Sequence, residues 1–250
     1  IRAGDRYLII APMFHSFGFK AGVLAAIIHG ATMYQVKVFD AVETLRRIEA
    51  EGISVMGGPP TIFSTLLEMN RSAGKDLSSL RSIVTGASMV SPNLIRALQS
   101  EVGVEIVVNA YGLTEVCALV TMTRPDDEVE TIATTAGRVI DGVEMRLVDT
   151  DGNEVPVGAA GEIEVRGFNV MAGYLDDPAE TEKTIRPDGW LRTGDVGVLN
   201  EDGCLRVTDR IKDMFIVGGF NCYPAEIEKM MLDYPGIREV AVIGVPDERM

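Results

Sequence analysis

The chain has 250 residues, 46% hydrophobic and 24% charged, which is enough for one large or two modest domains with a proper core. Its 37 acidic residues outnumber 23 basic ones, for a net charge of -14, and so acidic a chain lacks the electrostatic footprint of a nucleic-acid binder. Local glycines, amides and a metal can still hold an anionic ligand whatever the global charge.

In chain order, Tyr7 to Ala11 reads as a short apolar strand ending at Pro12. Met13-Phe14-His15-Ser16-Phe17-Gly18-Phe19 follows, aromatic-rich with a single histidine. Ala21 to Ile28 reads as a buried helix and Thr32 to Val36 as the next strand. Far shorter than the about 20 residues that span a bilayer, that apolar run predicts no transmembrane segment. Asp40 followed by Glu43 is a capping-box signature, Val42, Leu45 and Ile48 mark one helical face, and Gly52 is a natural stop. Ile53 to Met56 is strand-like, closed by Gly57-Gly58-Pro59-Pro60, and Thr61 can cap a helix carrying Ile62, Leu66 and Met69. Arg81 to Thr85 is a strand ending in Gly86-Ala87-Ser88. Ser91-Pro92 sets a cap and a first-turn proline, and Val104 to Val108 closes the series. Three strand ends, at Gly57-Gly58, Gly86-Ala87-Ser88 and Tyr111-Gly112, are expected along one edge, where glycine lets a ligand approach the backbone.

The pattern changes after about Pro125. Val143, Met145 and Leu147 alternate with Glu144 and Arg146, Asp151-Gly152 is a hairpin signal, and Ile163 and Val165 alternate with Glu162, Glu164 and Arg166. Val196 to Leu199 and Cys204 to Val207 flank a tight turn. Period-2 strands with short turns predict a small antiparallel barrel or sandwich. From Asp213 a strand (Met214 to Val217), a helix (Ala225 to Leu232) and a strand (Val240 to Val245) follow. The expected fold is α/β: a doubly wound sheet over 1–125, an antiparallel β-barrel subdomain over 126–209, and the start of an α+β C-terminal domain over 210–250. Cys117, Cys204 and Cys222 form no CxxC pair, which points to neither zinc nor a disulfide frame and fits a reducing, cytoplasmic setting.

YGLTE (111–115), GEIEVRGFNVMAGYL (161–175), DGWLRTGD (188–195) and DRIKDMFIVGGFNCYPAEIE (209–228) then occur in an order and spacing that resembles the adenylate-forming superfamily. The branch it resembles is the AMP-forming acyl-CoA synthetases, near bacterial fatty-acyl and steroid-ring-acyl CoA ligases, with PMFHSFG (12–18) as the preceding motif. The resemblance covers nearly the whole chain. It implies an enzyme that joins a carboxylic acid to coenzyme A: the carboxylate attacks the ATP α-phosphate, giving acyl-AMP and pyrophosphate, and the CoA thiol then displaces AMP. ATP and CoA are the implied co-substrates and Mg2+ the implied metal. A carboxylate nucleophile is already ionised at pH 7, so positioning and charge neutralisation carry such a step.

The resemblance implies roles residue by residue. Glu115 would hold Mg2+, Thr114 would donate to the α-phosphate, and Tyr111 would stack on adenine between Ala110 and Gly112. Gly86, Ala87 and Ser88 match the loop that closes over the adenine and acyl groups. Asn109 either contacts adenine or is a strand-end turn amide. Asp195 matches the carboxylate on the ribose hydroxyls, Arg210 the nucleotide-contacting arginine, and Lys212 the hinge of a mobile small domain. Gly218 and Gly219 match the strand along the pantetheine tunnel. His15 lies by resemblance at the mouth of the acyl pocket, with packed core as the alternative; Phe14, Phe17 and Phe19 are pocket walls or core. Two family elements, a phosphate loop before Ile1 and a late lysine after Met250, are absent, so the chain reads as an internal piece of a longer enzyme and is expected to be inactive alone. Alternatives are an enzyme that loads a carrier protein and a non-catalytic nucleotide- or acyl-binding member; a homo-oligomer stays open. The small residues Gly57, Gly58, Gly86, Ala87 and Gly112 suggest room for a fatty or bulky apolar acid, although a glycine can equally serve a turn.

Overall fold

The computed structural model of the chain describes residues 1–86, 90–210, 215–217, 220–222, 224–232, 234, 237 and 240–245. It divides into two compact units: Ile1–Asp141 with Asn169–Met171, and Gly142–Phe168 with Ala172–Met250. Among the described residues no helix is long and apolar enough to cross a membrane.

The first unit opens with β1 (Arg6–Ile9), a π-helical stretch over Phe17–Leu24 that runs into α1 (Ala25–His29), and β2 (Thr32–Gln35). Then come α2 (Ala41–Glu51), β3 (Val55–Gly57), α3 (Pro60–Ala73), β4 (Ser82–Gly86), α4 (Pro92–Ala97) with a further turn over Leu98–Val102, and β5 (Ile106–Tyr111). A single 3-10 turn over Thr114–Val116 leads to β6 (Thr121–Met122), α5 (Val129–Thr134) and β7 (Arg138–Val139). The described strands form one sheet in the order β2-β1-β3-β4-β5-β6-β7. Its first five members are parallel, and β6 and β7 extend it antiparallel. The core beside it gathers Leu8, Ile48, Met56, Phe63, Ile83, Ile95 and Val107.

Local signals set several boundaries. Asp40 Oδ1 accepts the Glu43 N–H at 2.8 Å, and Gly52 ends α2 with φ 60°. Ser91 Oγ accepts the Asn93 N–H at 3.2 Å, with Pro92 beginning α4. Thr61 does not cap α3. The helix starts two residues earlier than such a cap would set it, because Pro60 is pre-set for the first helical position and forces Pro59 into extended backbone. Val42 is exposed, and α2 buries Thr44, Leu45 and Ile48 instead.

The expected buried helix over Ala21 to Ile28 is corrected as well. Gly18, Gly22 and Ala26 are the buried positions, while Ile27 is 61% and Ile28 77% exposed. Small residues four apart let the backbone lie close on the strand beneath: a Cβ on Gly22 would sit 3.0 Å from Ile9 Cγ2. The large side chains therefore face outward. Residues 126–141, expected in the antiparallel subdomain, belong to the first unit, since α5 and β7 complete its sheet.

A buried carboxylate ties together the amino ends of three adjacent strands. Asp5 is 4% exposed. Its carboxylate accepts from Arg81 Nη2 at 2.9 and 3.0 Å, from Ser54 Oγ at 2.9 Å and from the Arg2 N–H at 2.7 Å. Desolvation by itself would raise the Asp5 pKa; the hydrogen bonds from Arg2, Arg81 and Ser54 outweigh it and hold the carboxyl below its ordinary value of 3.8.

The second unit carries β8 (Val143–Val148), β9 (Ala160–Gly167), α6 (Pro178–Thr184), β10 (Leu191–Leu199) and β11 (Leu205–Arg210). The antiparallel expectation takes the form of a four-stranded sheet in the order β11-β10-β9-β8. Its centre is Glu164, fully buried, which accepts from Arg146 at 2.7 Å and Arg186 at 2.6 Å. Trp190 lies between the guanidinium groups of Arg146 and Arg166, 4.3 and 4.7 Å from its ring centroid. A hairpin of β12 (Phe215–Val217) and β13 (Phe220–Cys222) and helix α7 (Pro224–Leu232) follow. The strand expected over Val240 to Val245 does not form; the Val242 N–H donates to the Glu228 carboxylate of α7 at 2.8 Å rather than to a neighbouring strand.

Asp5→Asn should cost about 3 kcal/mol at pH 7, because it leaves Arg81 without its buried partner. Since the folded pKa of Asp5 lies below 3.8, its contribution is complete above 3.8 and is lost as pH falls from there through the lower folded pKa. Urea unfolding of both proteins at pH 7 and at pH 3 should show the gap narrowing in acid; an unchanged gap would refute the staple.

Candidate active site

In a parallel sheet of order β2-β1-β3-β4-β5, ligands sit beyond the carboxyl ends of the strands, near the point where the strand order reverses. Here the order reverses at β1 and β3. The segment after β1 carries His15, which is exposed; its Nδ1 accepts the Phe17 N–H at 3.2 Å, so the neutral ring carries its proton on Nε2. His15 is therefore not a packed core residue. Neither are Phe14, 95% exposed, and Phe19, 46% exposed. Phe17 is half-buried beside β3: a Cβ on Gly57 would meet Phe17 Cζ and the Tyr7 hydroxyl, both at 2.9 Å. Burial pushes the Tyr7 phenol up to about 12, so it stays protonated at neutral pH.

At β4 and β5 the glycines have a different use from the one expected. Gly86 pairs with Ala110 in register, and a Cβ on Gly86 would collide with the Ala110 carbonyl oxygen. A Cβ on Gly112 would collide with the Ala118 carbonyl, and none of the three glycines 57, 86 and 112 opens space for an acyl chain. Each admits another part of the protein.

Asn109 and Tyr111 lie within β5, not in a turn beyond it. Asn109 is buried, and its Nδ2 donates to the carbonyls of Ile132 at 3.2 Å and Thr135 at 2.8 Å. That amide fastens the end of α5 to the sheet, which corrects the strand-end turn reading of Asn109. Ala110 and Tyr111 are half-buried at the strand end, Thr114 is exposed and Glu115 half-buried. Leu113, not Thr114, precedes the 3-10 turn, and a three-residue turn supplies no helix dipole.

In the second unit Asp195 and Arg210 stand directly opposite each other on β10 and β11. Arg210 Nε lies 3.2 Å from Asp195 Oδ1; the arginine side chain is 60% exposed and the aspartate side chain 10%. Gly194, with φ 73°, and the irregular pairing between Arg192 and Val196 turn the strand just before Asp195. Ala87, Ser88, Lys212, Gly218 and Gly219 lie outside the described residues.

Across residues 1–175 the sequence matches the family of AMP-binding enzymes. The chain belongs to the AMP-binding enzyme family. It is 48% identical, over all 250 residues, to a methyl-dioxo-octahydroindenyl-propanoyl:CoA ligase of Mycobacterium tuberculosis, covering 47% of that protein. The solved amide bond synthetase McbA of Marinactinospora thermotolerans is similar at 34% identity and a TM-score of 0.87, over 99% of this chain and 50% of that one. The O-succinylbenzoate coenzyme A synthetase of Bacillus subtilis, solved in complex with ATP and magnesium ion, is similar at 32% identity and a TM-score of 0.86, over 99% of this chain and 50% of that one. The chain spans about half the length of the curated relatives it matches.

The donor chemistry of this member suits a metal that arrives with a nucleotide. Among the described residues no cluster of three or more His, Cys, Asp or Glu could cage an ion. Mg2+ that arrives with a nucleotide takes one or two carboxylates and completes its shell with phosphate oxygens and water, and a single half-buried carboxylate such as Glu115 is compatible with that demand. One residue of the site escaped sequence reasoning: Asn169, whose amide bonds to the turn after Glu115, stood inside a quoted motif with nothing local to mark it.

Gly112→Ala should destabilise the protein by about 1–3 kcal/mol, because the Ala118 carbonyl must move. Urea midpoints check the cost, and a variant with normal stability would refute the close approach.

Proposed function

We propose that the complete polypeptide carrying this chain is an ATP-dependent acid–thiol ligase. It converts a carboxylic acid to acyl-AMP and pyrophosphate, then to acyl-CoA and AMP. The observation that carries this reading is the reversal after β5, which sets the Thr114 hydroxyl and the Glu115 carboxylate beyond the carboxyl end of a parallel strand in a member of the AMP-binding family.

In this reading Thr114 donates to an α-phosphate oxygen and Tyr111 takes the adenine face. Ala110 and Gly112, beside Gly86, form the backbone along the nucleotide. Asp195 accepts from the ribose hydroxyls while Arg210 neutralises its outer oxygen; a carboxylate receiving two hydroxyls and a guanidinium is a strong anchor. His15, with its proton on Nε2, faces the acyl carboxylate. Glu115 would hold Mg2+, which when bound would supply neutralisation of the charge on the phosphate oxygens. Ala87 and Ser88 are assigned to the nucleotide loop, Lys212 to the hinge, and Gly218 and Gly219 to the CoA path, on the resemblance of their motifs alone.

The Mycobacterium ligase's named acid is a fused-ring propanoate, and a bulky apolar acid is our substrate class. A second acceptor is favoured by one observation, the likeness to an amide bond synthetase; there an amine would replace the thiol. The test is acid-dependent ATP–pyrophosphate exchange on a panel of short, medium, aromatic and fused-ring acids. Fused-ring or long apolar acids should exchange fastest, and AMP release should require CoA. Glu115→Gln should lower exchange about 100-fold or more. Unchanged exchange in that variant would overturn the metal reading, and AMP release driven by amines but not by CoA would overturn the acceptor.

A further inference from the structure

Residues 169–171 fall between two stretches of the second unit in sequence, yet they pack within the first. Asn169 is 5% exposed. Its Nδ2 donates to the carbonyl oxygens of Val116 at 3.1 Å and Leu119 at 2.8 Å, and the Met171 N–H donates to the Glu115 carbonyl at 2.8 Å. All three acceptors belong to the turn that begins at Thr114. The turn also holds itself by backbone bonds, from the Val116 and Ala118 N–H groups to the Leu113 carbonyl at 3.2 and 2.9 Å, from the Cys117 N–H to the Thr114 carbonyl at 3.1 Å and from the Val120 N–H to the Tyr111 carbonyl at 2.9 Å. It contains two non-glycine residues with left-handed backbone, Cys117 at φ 58° and Ala118 at φ 76°, conformations that persist only where the surroundings over-determine them. A primary amide is the neutral side chain that offers two N–H donors from one nitrogen, and here both are used on one loop. The Asn169 Oδ1, by contrast, is buried with no hydrogen-bond partner among the described residues, so the residue serves the turn as a donor only.

We propose that Asn169 is the positioning residue of the nucleotide turn, holding the backbone from Glu115 to Leu119 so that the Thr114 hydroxyl and the Glu115 carboxylate keep their aim. The inference rests on the reading of Thr114 and Glu115 as phosphate and metal ligands. It assigns to this motif residue the part that supporting hydrogen bonds play around metal-ligating carboxylates, whose loss typically costs 10–100-fold in metal affinity or activity. Asn169→Asp keeps the shape and replaces the amide nitrogen, and with it both N–H donors, by one carboxylate oxygen facing the two carbonyls. Asn169→Ala removes the donors without that repulsion, and carries the test if the aspartate variant does not fold.

Two readouts decide it. In hydrogen exchange followed by mass spectrometry, the amides of Val116, Cys117, Ala118 and Val120 should exchange faster in the Asn169 variants, with the rest of the sheet unchanged. In adenylation assays on the complete polypeptide, the Mg2+ concentration giving half the maximal rate should rise about 10–100-fold, with KM for the acid little changed. Variants with a lowered melting temperature but normal metal dependence would make Asn169 merely structural and overturn the proposal. Glu115→Gln separates the two claims. If it leaves metal dependence untouched, the ligand reading fails; if it abolishes adenylation while the Asn169 variants keep normal metal dependence, the positioning role fails.

Discussion

The backbone contact between Gly112 and Ala118 is the constraint on which the rest of the candidate site depends. β5 is an interior strand, hydrogen-bonded to β4 on one side and β6 on the other. It must deliver its chain out of the sheet and turn it back within a few residues to begin β6. The return path runs so close that residue 112 can carry no Cβ. The tightness has a chemical consequence. It places Thr114 and Glu115 at the tip of a short reversal rather than along a helix, so their aim is set by backbone geometry and by bonds from outside the turn. Gly86 obeys the same logic one strand over, where its missing Cβ admits the Ala110 carbonyl. Glycine here serves backbone against backbone.

Buried charge is the second organising element, and it works differently in the two units. Asp5 gathers donors from Arg2, Ser54 and Arg81 at the amino edge of the first sheet, the edge opposite to the one where chemistry is expected. Glu164 does similar work in the second sheet with Arg146 and Arg186, and one of them, Arg146, also lies over the Trp190 ring. In each case one fully desolvated carboxylate is satisfied by several donors, which is what makes its burial tolerable. The acidic excess of the chain, -14 overall, does not oppose an anionic ligand, because the groups assigned to it are a hydroxyl, backbone, and carboxylates that act through a metal or through sugar hydroxyls.

What was legible in the sequence was local or carried by ordered motifs. The Asp40–Glu43 cap, the stop at Gly52 and the Ser91-Pro92 start are decided within four residues, and they form as read. The parallel sheet follows from alternating apolar runs and helical faces, and the family from four motifs in order. The misreadings have long-range causes. Asn109 looks like a turn residue because asparagine favours turns; its place in β5 depends on carbonyls 23 and 26 residues away. The helix after Phe17 reads as buried because its composition is apolar, but glycine and alanine turn out to be its inner face. The boundary near Pro125 missed that α5 and the short strand β7 still belong to the first unit. Asn169 reaches carbonyls 50 and 53 residues away, and no pattern in one sequence reports such a bond.

The most direct test of this account is a crystal structure of the complete polypeptide with a non-hydrolysable acyl-AMP analogue. The account predicts an α-phosphate-position oxygen within hydrogen-bond distance of Thr114 Oγ1, the adenine against the Tyr111 ring, and both ribose hydroxyls on the Asp195 carboxylate. A nucleotide bound elsewhere, with Thr114 and Asp195 both out of contact, would contradict it.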